Sequence, residues 1–205
     1  MHLHLTLIGL TGGIACGKST VLATLHDLGA HVLDADAVTH ALQRPEGAAY
    51  APIVAAFGPQ VVAADGTLDR RALGSIVFSD AARLRELEAI VHPLVRREIA
   101  AWLERVAAEH PGAVAVLDVI RLIEGGYAAQ CDAVWVVRCA AEQQLARLMQ
   151  TRGLSEPEAR ARLAAQPPQE SRIAHATLII DNDGDLDDLR AQVLAGWRGG
   201  HGAIP

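Results

Sequence analysis

Residues 12–19 read GGIACGKS, and this stretch constrains the fold more than any other part of the chain. It matches G-x-x-x-x-G-K-[ST], the pattern of a loop whose backbone N–H groups cradle a polyphosphate while a lysine reaches the terminal phosphates and a hydroxyl binds magnesium. A short apolar run at residues 5–8 precedes it, and apolar residues at helical spacing follow it: Val21, Leu22, Leu25 and Leu28. Strand, glycine-rich loop and helix therefore occur in the order that a phosphate-binding loop requires.

Lys18 is the only lysine among the 18 basic residues of the chain, and the other cations are all arginines. A planar guanidinium does not replace a compact ammonium with three donors at the centre of a phosphate-binding loop. The single lysine at this position therefore supports the motif. The alternative is a glycine-rich turn without a ligand. This alternative does not explain why Lys18 and the hydroxyl residues Ser19 and Thr20 follow the glycines.

Composition narrows the class of protein. Of the 205 residues, 51% are apolar and 20% are charged, which suits one compact domain, and no apolar run approaches the length of a membrane span. The net charge of −6 argues against a nucleic-acid partner, because such partners favour a basic surface. The three cysteines have no C-x-x-C spacing, and the first residues lack the features of a secretory signal. We therefore expect a cytoplasmic monomer whose partner is a small molecule.

Five apolar runs alternate with helical patterns along the chain. After the run at residues 5–8, they lie at residues 31–36, 113–119, 133–139 and 176–181. Continuous apolar strands of this kind are typical of a parallel sheet that is covered on both faces. The pattern predicts an α/β fold in one domain spanning residues 1–205, with a parallel five-stranded sheet, helices on both faces, and a core at about residues 1–36, 111–149 and 172–198.

Two insertions interrupt this core. Residues 37–110 are mostly helical in pattern and too long for a simple crossover, so we expect a helical substrate-binding region there. In the second insertion, at residues 150–171, Ser155 and Glu158 have the spacing of a capping box, and Pro167 and Pro168 end the helix. We expect this second segment to act as a mobile lid and the tail at residues 199–205 to be frayed.

A phosphate-binding loop indicates a nucleotide but not a reaction. A GTPase would need an N-K-x-D motif, which is impossible here because the only lysine is Lys18. A kinase needs a group that orients the acceptor hydroxyl and a lid that excludes water. Asp36, near the end of the second strand, is the candidate general base, and Asp34 is its neighbour. The alternative for both is an N-cap pair that opens the next helix.

Arginines near the lid are the candidate phosphate contacts. Arg147 and Arg172 flank this segment, whereas other arginines within it are expected to pair with glutamates on the surface. Asp118, near the end of the third strand, is a candidate magnesium ligand together with Ser19, or else a helix cap. His92 lies in an apolar helical stretch, where it either packs or lines the substrate site.

These residues resemble the dephospho-coenzyme A kinase family. The likeness runs from about residue 7 to residue 189 and is carried by these stretches: GLTGGIACGKST (9–20), LGAHVLDAD (28–36), ADGTLDRRALGSIVF (64–78), IVHPLV (90–95), LIEGG (122–126), LARLMQTRGLS (145–155) and IIDNDG (179–184). The resemblance implies transfer of phosphate from ATP, with magnesium (Mg2+), to the 3′-hydroxyl of dephospho-coenzyme A in the cytoplasm. It also implies a fold like that of the nucleoside monophosphate kinases.

The roles of family residues carry over by position. The resemblance implies that Asp36 is the catalytic aspartate, that Arg147 lies in the segment leading to the lid, and that Arg70 and His92 lie in the coenzyme-binding region. We expect Lys18 and Arg147 to act with Asp36 in catalysis. The resemblance also implies an ATP site formed by these loop residues: Gly13, Ala15, Cys16, Gly17, Lys18, Ser19 and Thr20. As a candidate phosphate contact, Arg172 is expected to join this site. We expect Asp34 to contact the substrate as well.

The chain departs from the family pattern at four places. The dipeptide Ile120-Arg121 stands where the family usually has proline and leucine, and Thr151-Arg152 shifts the lid arginine by one position. Thr177 stands where an aspartate is common, and Cys16 replaces a small residue that is most often serine. Two other functions stay open: a kinase of another small hydroxyl compound, and a nucleotide-binding regulator without catalysis.

Overall fold

The computed structural model describes residues 5–200, and its centre is a five-stranded parallel sheet. The strands are β1 (Thr6–Gly12), β2 (His31–Asp34), β3 (Val114–Asp118), β4 (Ala133–Arg138) and β5 (Leu178–Asp181), in the spatial order β2-β3-β1-β4-β5. In the central strand, Ile8 lies opposite Val116 of β3 and Ala133 of β4. The parallel α/β fold predicted from the alternating apolar runs is therefore confirmed.

Helices connect the strands and form the two insertions. Within the described residues they are α1 (Lys18–Asp27), α2 (Ala35–Leu42), α3 (Tyr50–Phe57), α4 (Arg70–Ser79), α5 (Ala81–Glu109), α6 (Ala141–Arg152), α7 (Glu156–Ala164), α8 (Gln169–Ile173) and α9 (Leu186–Arg198). The first of these begins at the lysine of the glycine-rich motif and ends at Asp27, two residues before Gly29, close to the end that its apolar spacing predicts.

Both faces of the central strands are buried. The first five residues of β4 are all covered, and Trp135 at its centre is fully buried. A strand covered on both faces loses the alternation of polar and apolar residues, which explains the continuous apolar runs. The same hydrophobic cluster includes side chains of α1 and α9: Val21, Leu25, Leu189 and Val193. This core fixes the end of β1, where the glycine-rich loop leaves the sheet.

Two strand ends differ from the expectation. β1 continues past residue 8 to Gly12, where a Cβ would lie 2.4 Å from a backbone carbonyl oxygen of β4, so glycine permits the close approach. β2 ends at Asp34 and α2 begins at Ala35, so the expected extension of the strand to residue 36 is wrong. The Asp34 carboxylate accepts hydrogen bonds from the backbone N–H groups of Asp36 and Ala37, which starts the helix early.

The chain divides into two compact units. The loop-bearing unit contains the residues up to Leu33 and from Val106 onward, and the helical unit contains Asp34–Arg105. In the loop-bearing unit the predicted capping box is present at the start of α7, where Oε2 of Glu158 accepts a hydrogen bond from the N–H of Ser155 at 2.9 Å. Within residues 5–200, no helix is long and apolar enough to cross a membrane. The tail expected to be frayed lies outside the described residues from position 201 onward.

Candidate active site

The glycine-rich loop joins the C-terminal end of β1 to the N-terminal end of α1. Gly17 is the N-cap of α1 with a φ of 92°, and Ala15 also lies in the left-handed region with a φ of 58°. Left-handed residues among right-handed ones turn successive backbone N–H groups toward one side, which makes a concave anion site. The first amides of α1 have no partner within the helix, and the helix dipole adds partial positive charge there. The loop can therefore hold phosphate oxygens.

Lys18, the first residue of α1, forms an ion pair with Asp118 at the end of β3, with 3.3 Å between Nζ and Oδ1. The two side chains are only 19% and 13% exposed, so their attraction is screened less than that of a surface pair. β3 lies next to β1, and the carboxyl ends of neighbouring parallel strands meet at one edge of the sheet. The structure thus brings this lysine and this aspartate together.

Asp118 and Ser19 offer hard oxygen atoms of the kind that Mg²⁺ prefers. Ser19 is exposed in the first turn of α1, next to Lys18. Mg²⁺ is usually bound by one or two carboxylates together with substrate phosphates, rather than by a cage of protein ligands. In the part of the chain that the structure describes, no group of three or more His, Cys, Asp or Glu side chains is arranged for a metal. The donor set therefore fits a magnesium ion that arrives with a nucleotide.

Asn182, directly after β5, supports the loop through its side chain. Its Nδ2 donates a hydrogen bond to the carbonyl oxygen of Cys16 at 2.8 Å, and its backbone carbonyl oxygen accepts one from Nη2 of Arg147 at 3.0 Å. A Cβ on Gly17 would lie 2.2 Å from Nδ2, so this position requires glycine for packing as well as for its φ. The sequence pattern did not single out Asn182, although the stretch IIDNDG contains it.

Two glutamines hold Ile14 within the loop. Gln144 of α6 donates from Nε2 to the carbonyl oxygen of Ile14 and to Sγ of Cys16, each at 3.0 Å. Gln166, between α7 and α8, accepts a hydrogen bond at Oε1 from the backbone N–H of Ile14 at 3.0 Å. The lid segment therefore contacts the phosphate loop directly. A single sequence carries no signal for either glutamine, since neither belongs to a motif of fixed spacing.

Arg172 of α8 is only 5% exposed although its side chain is charged. α8 packs against β1 and β4. Among the described residues, Nε of Arg172 has no hydrogen-bond partner, and neither has Nη1 of Arg147. Burying an unpaired cationic donor is costly, so such groups mark a position where an anion is expected. Both arginines are therefore suited to contact phosphate.

The two carboxylates near the end of β2 differ in their contacts. Oδ1 of Asp34 caps α2 by accepting hydrogen bonds from the N–H groups of Asp36 and Ala37 at 2.8 and 3.2 Å. Asp36 lies in the first turn of the same helix with an exposed side chain. The N-cap alternative thus describes Asp34, whereas the carboxylate of Asp36 is exposed.

In the helical unit, Arg70 begins α4 and His92 lies within α5. Nη1 of Arg70 is 3.0 Å from Nε2 of His40, and both side chains are exposed. His92 is exposed as well, so it is not a packing residue of this unit's core. The two side chains expected to contact the coenzyme are therefore open to solvent.

One departure from the family pattern has a clear local reason. The hydroxyl of Thr177 accepts a hydrogen bond from the N–H of Val134 at 3.0 Å, a role that a carboxylate oxygen also fills. Thr151 donates from its hydroxyl to the carbonyl oxygen of Arg147 at 2.6 Å, which holds the last turn of α6. Nothing in the structure explains the dipeptide Ile120-Arg121.

Known proteins resemble this chain in fold and in sequence. Residues 6–188 match a family model described as dephospho-CoA kinase. The chain is 54% identical over 202 residues to a dephospho-CoA kinase of Symbiobacterium thermophilum, covering 97% of this chain and 84% of that protein. A solved structure from Thermus thermophilus has a TM-score of 0.84 at 38% identity, covering 96% of this chain and 98% of that one. A dephospho-CoA kinase from Campylobacter jejuni has a TM-score of 0.62 at 26% identity, with coverages of 96% and 97%. Because the match in sequence and in fold extends over nearly the whole chain, this chain belongs to the dephospho-CoA kinase family.

Proposed function

We propose that this chain transfers the γ-phosphate of ATP to the 3′-hydroxyl of dephospho-coenzyme A, giving coenzyme A and ADP. Membership of the dephospho-CoA kinase family supports this acceptor. The observation that carries the reaction type is the ion pair of Lys18 and Asp118, at 3.3 Å, beside a loop in which Ala15 and Gly17 are left-handed, a conformation that suits an anion site. Phosphoryl transfer needs little covalent chemistry from the protein, so positioned cations and dipoles are its main devices.

The loop binds the polyphosphate of ATP. Backbone N–H groups of the loop and of the first turn of α1 donate to phosphate oxygens, and Lys18 reaches the terminal phosphates. Ser19 and Asp118 would hold a magnesium ion, which would supply positive charge against the phosphates of the nucleotide. The loop residues in this role are Gly13, Ala15, Cys16, Gly17, Lys18, Ser19 and Thr20.

Arg147 and Arg172 contact the transferred phosphate. Each has a buried nitrogen without a hydrogen-bond partner among the described residues, and a guanidinium binds phosphate through two parallel hydrogen bonds. Charge on the transferred group spreads over its oxygens in the transition state, so cations fixed beside it lower the barrier.

Asp36 is the general base and accepts the proton of the acceptor hydroxyl. Asp34 fixes the turn that carries Asp36, because its carboxylate caps α2. Arg70 and His92, with Asp34, are the acceptor contacts of the helical unit. A cation such as Arg70 suits the diphosphate group of dephospho-coenzyme A.

Acceptor-dependent formation of ADP tests the reaction. The purified protein with magnesium, ATP and dephospho-coenzyme A should release ADP and yield coenzyme A, identified by mass spectrometry. A panel of other small alcohols should give no turnover. Turnover of another alcohol together with none of dephospho-coenzyme A would refute the acceptor, and ATP binding without any acceptor-dependent ADP would favour a regulator.

Two aspartate variants test the base. Asp36→Asn should leave ATP binding nearly intact and reduce transfer by about 10²- to 10⁴-fold, the usual contribution of a positioned base. Asp34→Asn is the matched control, because asparagine caps a helix about as well as aspartate. A smaller loss of activity is expected there, confined to acceptor binding. Full activity of Asp36→Asn would remove Asp36 from its role.

The protein is further proposed to act as a monomer in the cytoplasm. All three cysteines are free thiols, which suits a reducing compartment. Gel filtration with light scattering should give the mass of one chain, and a dimer would contradict this part of the proposal.

A further inference from the structure

Two thiols lie in contact beside the phosphate-binding loop. Sγ of Cys16, within the loop, is 3.4 Å from Sγ of Cys139, the residue that follows β4. Their side chains are 0% and 3% exposed, and both are free thiols. The proposed reaction uses the backbone of Cys16 but neither sulfur atom. An unassigned pair of oxidisable groups therefore adjoins the nucleotide site.

The hydrogen bonds around Cys16 favour its thiolate form. The thiol of Cys139 donates to Sγ of Cys16, and Nε2 of Gln144 donates to the same atom at 3.0 Å. These bonds, with the one from Cys139 as the largest effect, lower the pKa of Cys16 from 9.0 to about 7 although burial opposes the shift. The same contact, followed by burial, raises the pKa of Cys139. Because Gln144 donates to Sγ of Cys16, negative charge on this sulfur is stabilised, and Cys16 is the nucleophile of the pair.

The third cysteine provides a contrast within the same chain. Sγ of Cys131 donates to the carbonyl oxygen of Tyr127 at 3.4 Å. Burial, with a smaller effect from Asp132, raises the pKa of Cys131 to about 12. Cys131 is therefore a protonated thiol near neutral pH and reacts slowly with oxidants.

We propose that Cys16 and Cys139 are a modification site, where hydrogen peroxide forms a reversible disulfide that weakens nucleotide binding. The Cys16 thiolate attacks one peroxide oxygen and breaks the O–O bond, which gives a sulfenic acid and a hydroxide that takes up one proton to become water. The Cys139 thiol then attacks that sulfur, so that the S–S bond forms and a second water leaves. Two thiols and one peroxide thus become one disulfide and two waters, and a dithiol reductant reverses the oxidation.

The disulfide would disturb the loop. An S–S bond is about 2.05 Å long, whereas the two sulfur atoms now lie 3.4 Å apart. Closing this gap pulls on Cys16, whose carbonyl oxygen is held by Asn182 at 2.8 Å and whose Sγ accepts from Gln144. Misplacement of site groups by about 1 Å commonly costs on the order of 10²-fold in activity. We therefore expect the oxidised protein to bind ATP at least about tenfold more weakly.

Peptide mapping and ATP binding test the proposal together. Wild type, Cys131→Ala, Cys139→Ala and Cys139→Ser are treated with hydrogen peroxide, digested without reductant and, in parallel, titrated with a fluorescent ATP analogue. We expect a linked Cys16–Cys139 peptide in wild type and Cys131→Ala, with a loss of ATP binding that dithiothreitol reverses. Both Cys139 variants should bind ATP normally before treatment and keep most of that binding afterwards. Serine preserves the shape of the side chain, so a folding defect of the alanine variant does not decide the result.

Three results would overturn the proposal. They are the absence of a linked peptide in wild type, a linked peptide with unchanged ATP binding, and a loss of ATP binding in both Cys139 variants as large as the loss in wild type. The rate of linkage should also rise between about pH 6 and about pH 8, because the thiolate fraction of Cys16 increases with pH through its pKa of about 7. A flat rate would contradict the thiolate as the attacking group. The inference rests only on the part of the proposed function in which the loop binds ATP. Peptide mapping and ATP titration therefore test it even if the acceptor is a different compound.

Discussion

Replacing Gly17 with alanine tests whether Asn182 holds the phosphate loop. Gly17 has a φ of 92°, and a left-handed conformation costs an alanine about 1–2 kcal/mol. The new Cβ would also lie 2.2 Å from Nδ2 of Asn182 and push this amide away from the carbonyl oxygen of Cys16. Leaving buried polar groups unsatisfied costs about 1–3 kcal/mol more. We therefore expect Gly17→Ala to lower the free energy of unfolding by about 2–5 kcal/mol.

Gly29 supplies a matched control in the same unit. Its φ is 95°, but a Cβ there would meet nothing within 4 Å, so Gly29→Ala carries the backbone cost alone. Its expected loss is about 1–2 kcal/mol. Asn182→Ala removes the amide that obstructs the new methyl group of Gly17→Ala. The double variant should therefore lose less unfolding free energy than the sum of the losses of the two single variants. We expect a coupling of about 1–2 kcal/mol between the two sites.

Urea unfolding followed by circular dichroism measures these free energies, and calorimetric titration measures ATP binding by the same variants. Gly17→Ala should bind ATP more weakly because the disturbed amide supports the loop, whereas Gly29→Ala should bind it normally. Equal destabilisation by the two glycine variants would refute the steric argument. Simple additivity of Gly17→Ala and Asn182→Ala would refute the contact between these two residues.

Three further substitutions probe the site. Arg172→Met removes a buried cation whose Nε lacks a hydrogen-bond partner among the described residues. The nucleotide-free protein should therefore keep its stability or gain up to about 4 kcal/mol in urea unfolding, while turnover falls. A large loss of stability would mean that the guanidinium stabilises the fold. Gln166→Ala frees the N–H of Ile14 from the lid segment and should raise the KM for ATP while costing only about 1 kcal/mol of stability, and an unchanged KM would contradict this role. Asp118→Asn keeps the shape of the side chain but removes the charge beside Lys18, so half-maximal turnover should need more Mg²⁺; an unchanged requirement would remove Asp118 from the metal site.

The sheet was predictable because strands that are covered on both faces must be apolar throughout. β3, β4 and β5 lie within the apolar runs read from the sequence, and each differs from its run by at most two residues at an end. The phosphate loop was predictable for a related reason, since its glycines, Lys18 and Ser19 are adjacent in the chain. The expected extension of β2 to residue 36 was wrong because of a competing local effect. The cap formed by Asp34 stabilises a helix start by about 1 kcal/mol, and the pattern of apolar residues does not indicate such a cap.

The residues that support the loop were not predictable from one sequence. Asn182 lies 166 positions from Cys16, and Gln166 lies 152 positions from Ile14. An amide side chain has no period and no fixed spacing to a partner that only the folded sheet brings near. Buried arginines are a similar case, because the sequence marks Arg172 as charged, and charged residues are exposed by default. Its position beside the lid makes Arg172 a candidate phosphate contact from the sequence, but its burial, at 5% exposure, is known only from the structure.

The thiol pair follows from the way in which the loop binds phosphate. A cradle of backbone amides places few demands on the side chain at position 16, so this position tolerates a cysteine. The side chain is instead packed against Cys139, 123 positions away, in the buried cluster beneath the loop. A hydroxyl in that place would accept the hydrogen bond from Gln144 but would neither ionise near neutral pH nor be oxidised by peroxide. In the proposed site, Cys16 therefore adds redox chemistry to a loop whose amides are available for ATP in the reduced protein, and Cys139 makes this chemistry reversible.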